Sequence, residues 1–218
     1  MAVLLGVLRP LAWINDRVLS LCRALAIGLL ALMVLAILVQ VLFRYGLGQA
    51  LAWPEEAARF GMLWMTGLMA PVAYRRGGFV AIDMLERALP PRLGATLVLL
   101  LTLVSLGVLL YALPLGSAHV QSGCLFTSNT LWLPFTLELG IPLPGTGLAL
   151  TLCSDAPSFS VTPGWTKMPL AVTYASLYVG LQLLALVGVE LLLRSLVALL
   201  GGEDRLPAMP HTDMASAE

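Results

Sequence analysis

Uncharged apolar runs of membrane-spanning length alternate along this chain with short clumps of charge. Ala24 to Phe43 carries no charged residue; as a helix rising about 1.5 Å per residue, such a run is about 30 Å long, the thickness of a bilayer's hydrocarbon core. With its flanks it predicts a first span over residues 18–44. Phe60 to Tyr74 is shorter, but Pro54 suits the first turn of a helix. Glu55 and Glu56 follow where the helix dipole favours acids, which predicts a second span over 54–74. A third, over 93–118, opens after Pro90, Pro91 and Arg92 and weakens near Pro114 and Gly116. A fourth covers 168–193, with Glu190 and Arg194 spaced i, i+4 near its end. The fold class that follows is an all-α integral membrane protein of four transmembrane helices, forming one domain over residues 1–200.

Composition agrees with that pattern. The chain is 59% hydrophobic and 11% charged, with a mean hydropathy of +0.93, well outside the range of soluble domains. If the N-terminus is cytoplasmic, nine of the twelve basic residues fall on that side and only Arg44, Arg59 and Lys167 on the other. The positive-inside rule therefore predicts an N-in, C-in arrangement in a bacterial inner membrane. Ala50-Leu51-Ala52 looks like a leader cleavage site, but it lies too far along the chain for a secretory leader, so the first span is expected to stay as an anchor.

Under this topology residues 119–167 form a long periplasmic loop, far longer than an ordinary connection between bundled helices. Within it, 139–153 is uncharged and apolar but interrupted by Pro142, Pro144, Gly145 and Gly147, which predicts a surface loop or short hairpin rather than a fifth span. The loop holds Cys124 and Cys153. In an oxidising compartment a bridge between them would stabilise the loop by roughly 3 to 4 kcal/mol; the alternative is two unpaired thiols. Past Arg76, Phe79, Ile82 and Leu85 share one helical face, which predicts a short amphipathic helix lying in the cytoplasmic interface. Residues 201–218 are polar, contain Pro207 and Pro210, and are expected to be disordered.

One block carries more functional information than the rest. Val39-Gln40-Val41 with Arg44-Tyr45, then Trp53, Glu55, Glu56, Arg59 and Phe60, then Trp64 and Gly67, then Arg75-Arg76-Gly77-Gly78, Asp83 and Leu89-Pro90-Pro91 follow one another in order. Over about residues 14 to 115 this series resembles the small membrane subunit, of DctQ type, of tripartite ATP-independent periplasmic (TRAP) transporters. The chain departs from the family pattern at Phe79-Val80-Ala81, where a His-Ile and a basic residue are usual, and around Pro169, Tyr174, Tyr178 and Gly180.

The resemblance implies a scaffold for a large transport subunit of DctM type that also helps dock a periplasmic substrate-binding protein of DctP type. Together these would import organic acids on a sodium gradient. Arg44, Trp53, Glu55, Glu56, Arg59, Trp64, Gly67, Arg76 and Asp83 are then the structural or partner-facing candidates. Salt bridges between Arg44 and the Glu55–Glu56–Arg59 group are expected to fix the turn at Gly46-Leu47-Gly48. Trp53 is expected to anchor at the membrane interface and Trp64 to face protein, while Gly61, Gly67 and Ala70 make helix two the candidate partner-facing helix.

Other chemistries find little support. Met62, Met65 and Met69 form a stripe better suited to packing than to metal, and neither histidine is placed to hold haem. No cofactor, metal site or enzyme motif is predicted, and a net charge of zero gives no reason to invoke nucleic acid. The alternatives are a four-helix membrane thiol oxidoreductase, which would need a second cysteine pair, and a generic assembly subunit of another membrane complex.

Overall fold

The computed structural model describes residues 2–76, 90–142, 149–152 and 159–200. The predicted interfacial helix with Asp83, the residue Cys153 and the tail 201–218 lie outside these. The described chain is mostly helical: α1 is Ala2–Gly46, α2 Trp53–Arg75, α3 Pro91–Ser122 and α4 Leu170–Leu199. A single turn of tight helix, Gly123–Leu125, ends α3. Three of the helices, α1, α3 and α4, are long and apolar enough to cross a membrane. The charged ends of α2, Glu55, Glu56 and Arg59 at one and Arg75 at the other, dilute its apolar run.

α1 starts well before the span expected at residue 18. The reason is a buried seam on its N-terminal half: Leu8, Ala12, Asn15, Leu19, Cys22 and Ala26 are all buried and recur at alternating spacings of four and three, the repeat that keeps one helical face against its neighbours. Arg9, Arg17 and Arg23 lie on the exposed side of that stripe and do not interrupt it. Beyond residue 24 α1 is exposed almost all round, with Ile27, Leu32, Leu35, Leu38 and Leu42 each 60% exposed or more. In water such a surface would be untenable; it suits lipid or another protein.

Where a loop was expected, the chain forms a three-stranded antiparallel sheet ordered β2-β1-β3, with β1 Thr127–Pro142, β2 Ala149–Leu152 and β3 Phe159–Pro169. β1 and β2 form the short hairpin, from the pair Leu139 and Leu152 to the pair Pro142 and Ala149. The β1–β3 ladder slips register between Leu133 and Phe135. Pro134 sits at that slip, where the missing N–H costs no ladder bond.

The chain divides into two compact units. One comprises Met1–Arg23, Met69–Tyr111 and Gln182–Glu218; the other Ala24–Leu68 and Ala112–Leu181. In the second unit α2 and α4 approach backbone to backbone. A Cβ on Gly67 would collide with the Ser176 carbonyl oxygen, and one on Gly180 would lie 2.9 Å from the Gly67 carbonyl oxygen. Only glycines tolerate that separation, the small-residue packing common between helices in lipid. Gly61 faces α1, where an added Cβ would meet Met33 at 3.7 Å. The small residues of α2 at 61 and 67 thus pack against α1 and α4 within the chain.

Candidate functional site, a buried ion network and a clamped sheet

In the first unit, three helices each bring a charged group to one place. The α1 seam carries Asn15 inward with Asp16 beside it. α2 ends on Arg75, where a cation also complements the helix dipole. α4 brings Glu190 and, one turn later, Arg194. Glu190, fully buried, is the hub.

Its Oε1 accepts from Arg75 Nη2 at 2.9 Å, from Arg194 Nη2 at 2.8 Å and from Arg194 Nε at 3.0 Å. Its Oε2 accepts from Asn15 Nδ2 at 2.6 Å. Arg75, itself 5% exposed, also pairs through Nη1 with Asp16 and reaches the Ala12 carbonyl at 3.4 Å. Two acids and two guanidiniums balance, which is the condition under which such groups tolerate burial. Two atoms in the network, Asn15 Oδ1 and Arg75 Nε, have no hydrogen-bond partner.

None of Asn15, Asp16, Arg75, Glu190 and Arg194 was among the candidate residues chosen from sequence. One signal for them was visible: a carboxylate on an otherwise apolar helix needs a partner, and Arg194 alone sits at i, i+4. The matching Asn15-Asp16 lay outside the predicted first span.

The second unit places the α2 candidates differently from the expected strut. Arg44 lies over the ring of its neighbour Tyr45, 5.8 Å from the centroid, and not against Glu55 or Glu56. Glu55 instead pairs with Arg59 one turn on, with both side chains largely exposed, an arrangement that contributes little to stability. Glu56 turns to the sheet, accepting from the Thr130 backbone N–H at 3.0 Å and from the Thr130 hydroxyl. The charged start of α2 therefore clamps β1.

Replacing Glu56 with alanine should release that clamp and cost about 1 kcal/mol, less than a fully buried charged hydrogen bond because Glu56 is half-buried. Hydrogen exchange at the Thr130 amide should accelerate; protection equal to wild type would rule the clamp out.

Behind Glu56 and Arg59 opens a cavity of about 530 Å³, walled by Phe60, Phe126, Ser128, Met168 and Tyr174. The Trp64 indole N–H donates to the Val172 carbonyl of α4 at 3.1 Å, so this tryptophan faces protein. Trp53 is 40% exposed at the start of α2. His119 stacks on Tyr174 at 4.3 Å. Cys124 is disulfide-bonded, whereas Cys22 is a buried free thiol on α1. Arg76, exposed, lines a small cavity next to Arg75.

The family profile "Tripartite ATP-independent periplasmic transporters, DctQ component" matches residues 33–154, more than half of the chain. The chain belongs to the DctQ family. It is also 27% identical over 124 residues, covering 57% of this chain and 68% of the relative, to a Haemophilus influenzae protein named "Putative TRAP transporter small permease protein". No solved structure matches the chain. The DctQ match covers α1 from residue 33 onward, all of α2 and α3, and the strands β1 and β2. The Glu190 end of the network lies beyond it.

Proposed function

We propose that this DctQ-family chain is the fixed small subunit of a TRAP transporter, bracing a large DctM-type membrane subunit and helping a DctP-type periplasmic binding protein to dock. The observation that carries this reading, beside the family match, is the internal neutralisation of the buried charges. Glu190, Arg75, Arg194 and Asp16 engage one another, which leaves no buried charge of the network free to bind a travelling ion or solute. A brace needs such locks; a carrier needs a site that empties and fills.

In this reading α2 is a fourth span and both termini are cytoplasmic. The sheet, with Cys124 bonded to Cys153, is the periplasmic face presented to the binding protein. Sodium coupling and an organic acid substrate belong to the assembled transporter in an inner membrane. The bare apolar surface of α1 supports contact with lipid and the large subunit.

Co-expression with a tagged large subunit tests the proposal. The chain should co-purify stoichiometrically, and vesicles holding both subunits plus the binding protein should take up an organic acid only with a sodium gradient. Uptake that is undiminished when this chain is omitted would refute it.

A further inference from the structure

Beside the ion network, α1 and α2 enclose a second and smaller cavity of about 80 Å³ lined by Asp16, Leu19, Ser20, Arg23, Val72, Arg75 and Arg76. The volume holds about two waters, or one anion of phosphate size. Its one carboxylate, Asp16, is already paired with Arg75. Arg23 and Arg76, both exposed, take part in none of the ion pairs among the described residues. Two basic residues, one on α1 and one just past the end of α2, therefore line one cavity whose one carboxylate among the described residues is already paired. The lining also includes Arg75, whose Nε has no hydrogen-bond partner, and Ser20, an exposed residue.

We propose that this cleft holds the phosphate of an anionic phospholipid, gripped by Arg23 of α1 and by Arg76, just past the end of α2. Guanidinium forks suit phosphate oxygens, and a second fork adds orientation as well as charge. The position selects lipid over a soluble anion. From Arg23 α1 runs directly into the uncharged stretch 24–43, so a phosphate held at this level leaves its acyl chains alongside apolar helix. Leu21, 61% exposed, begins that surface next to the cleft. Basic residues at the ends of spans generally attract anionic headgroups without choosing among them; here a cavity lined by Ser20, Arg23 and Arg76 makes a defined seat.

The full-length chain in a neutral detergent, titrated with dioleoyl-phosphatidylglycerol and separately with dioleoyl-phosphatidylcholine, tests the seat by native mass spectrometry. Wild type should hold one phosphatidylglycerol about tenfold or more tighter than phosphatidylcholine. The double variant R23Q/R76Q should lose that preference and R23K/R76K should keep part of it. R9Q/R17Q, which removes the same charge from exposed positions of α1 outside the cleft, should bind like wild type. The proposal is overturned if R23Q/R76Q retains the lipid as wild type does, or if R9Q/R17Q loses it equally, which would mean diffuse attraction. Displacement of the lipid by millimolar inorganic phosphate would equally overturn it in favour of a soluble anion.

Discussion

Replacing Glu190 with alanine should destabilise the chain by about 3 to 5 kcal/mol, the cost of stripping the partner from buried charge. Arg75 would keep only Asp16 and the Ala12 carbonyl, and Arg194 would lose both of its contacts to the hub. Asn15, fully buried, would be left with neither end of its amide hydrogen-bonded. The thermal midpoint in detergent should fall by many degrees and co-purification with the large subunit should fail. Glu190→Gln keeps the shape but not the charge and should fall between the two. Removing the charges together should hurt less than removing one. The quadruple variant Asn15→Leu, Arg75→Met, Glu190→Leu, Arg194→Met should recover most of the loss, because apolar groups of similar volume need no partner and Asp16, 48% exposed, can return to water. An alanine variant that melts within a degree of wild type would show that Glu190 is not the hub.

Gly67→Ala should be the most damaging of the glycine substitutions in α2, and Gly67→Val worse still. The new methyl would meet the Ser176 carbonyl oxygen, a backbone atom that cannot swing aside, and α2 and α4 would have to part. Overpacking of this kind typically costs about 1 to 3 kcal/mol. Parting would also stretch the Trp64 to Val172 hydrogen bond. The control is Gly28→Ala on α1, where nothing lies within 4 Å of the added atom. With no clash to offset it, the better helix propensity of alanine should leave that variant neutral or up to about 1 kcal/mol more stable. Melting curves of the two variants side by side decide the matter, and equal midpoints would exclude close packing at Gly67.

The helices were legible in sequence because charge is excluded from hydrocarbon. The gaps between charged clumps marked α2 to within one residue at each end, α3 to within four and the start of α4 to within two, whereas α4 runs six residues past the expected end. α1 was cut short because Arg9, Asp16, Arg17 and Arg23 break the apolar run. The seam Leu8, Ala12, Asn15, Leu19, Cys22 follows a period rather than a run. Proline and glycine hid most of the sheet, since Pro134, Pro142 and Pro163 mask the alternation a strand should show, and only the hairpin at 139–152 was anticipated.

The site was harder still. The family motif marked Arg76 and the start of α2, but which residue each charge meets depends on how helices pack, and that is not written in local spacing. Glu56 was expected near Arg44 and is bound instead to Thr130, 74 positions away in sequence.

The ion network also imposes an order on biogenesis. As the ribosome feeds the chain into the translocon, α1 and α2 emerge first and can join through Asp16 and Arg75 alone. Asn15 and half of the Arg75 fork must wait until α4 arrives with Glu190, more than a hundred residues later. The network is therefore sealed by α4, and a nascent chain halted before it would expose unmet polar groups of the kind that membrane quality control removes.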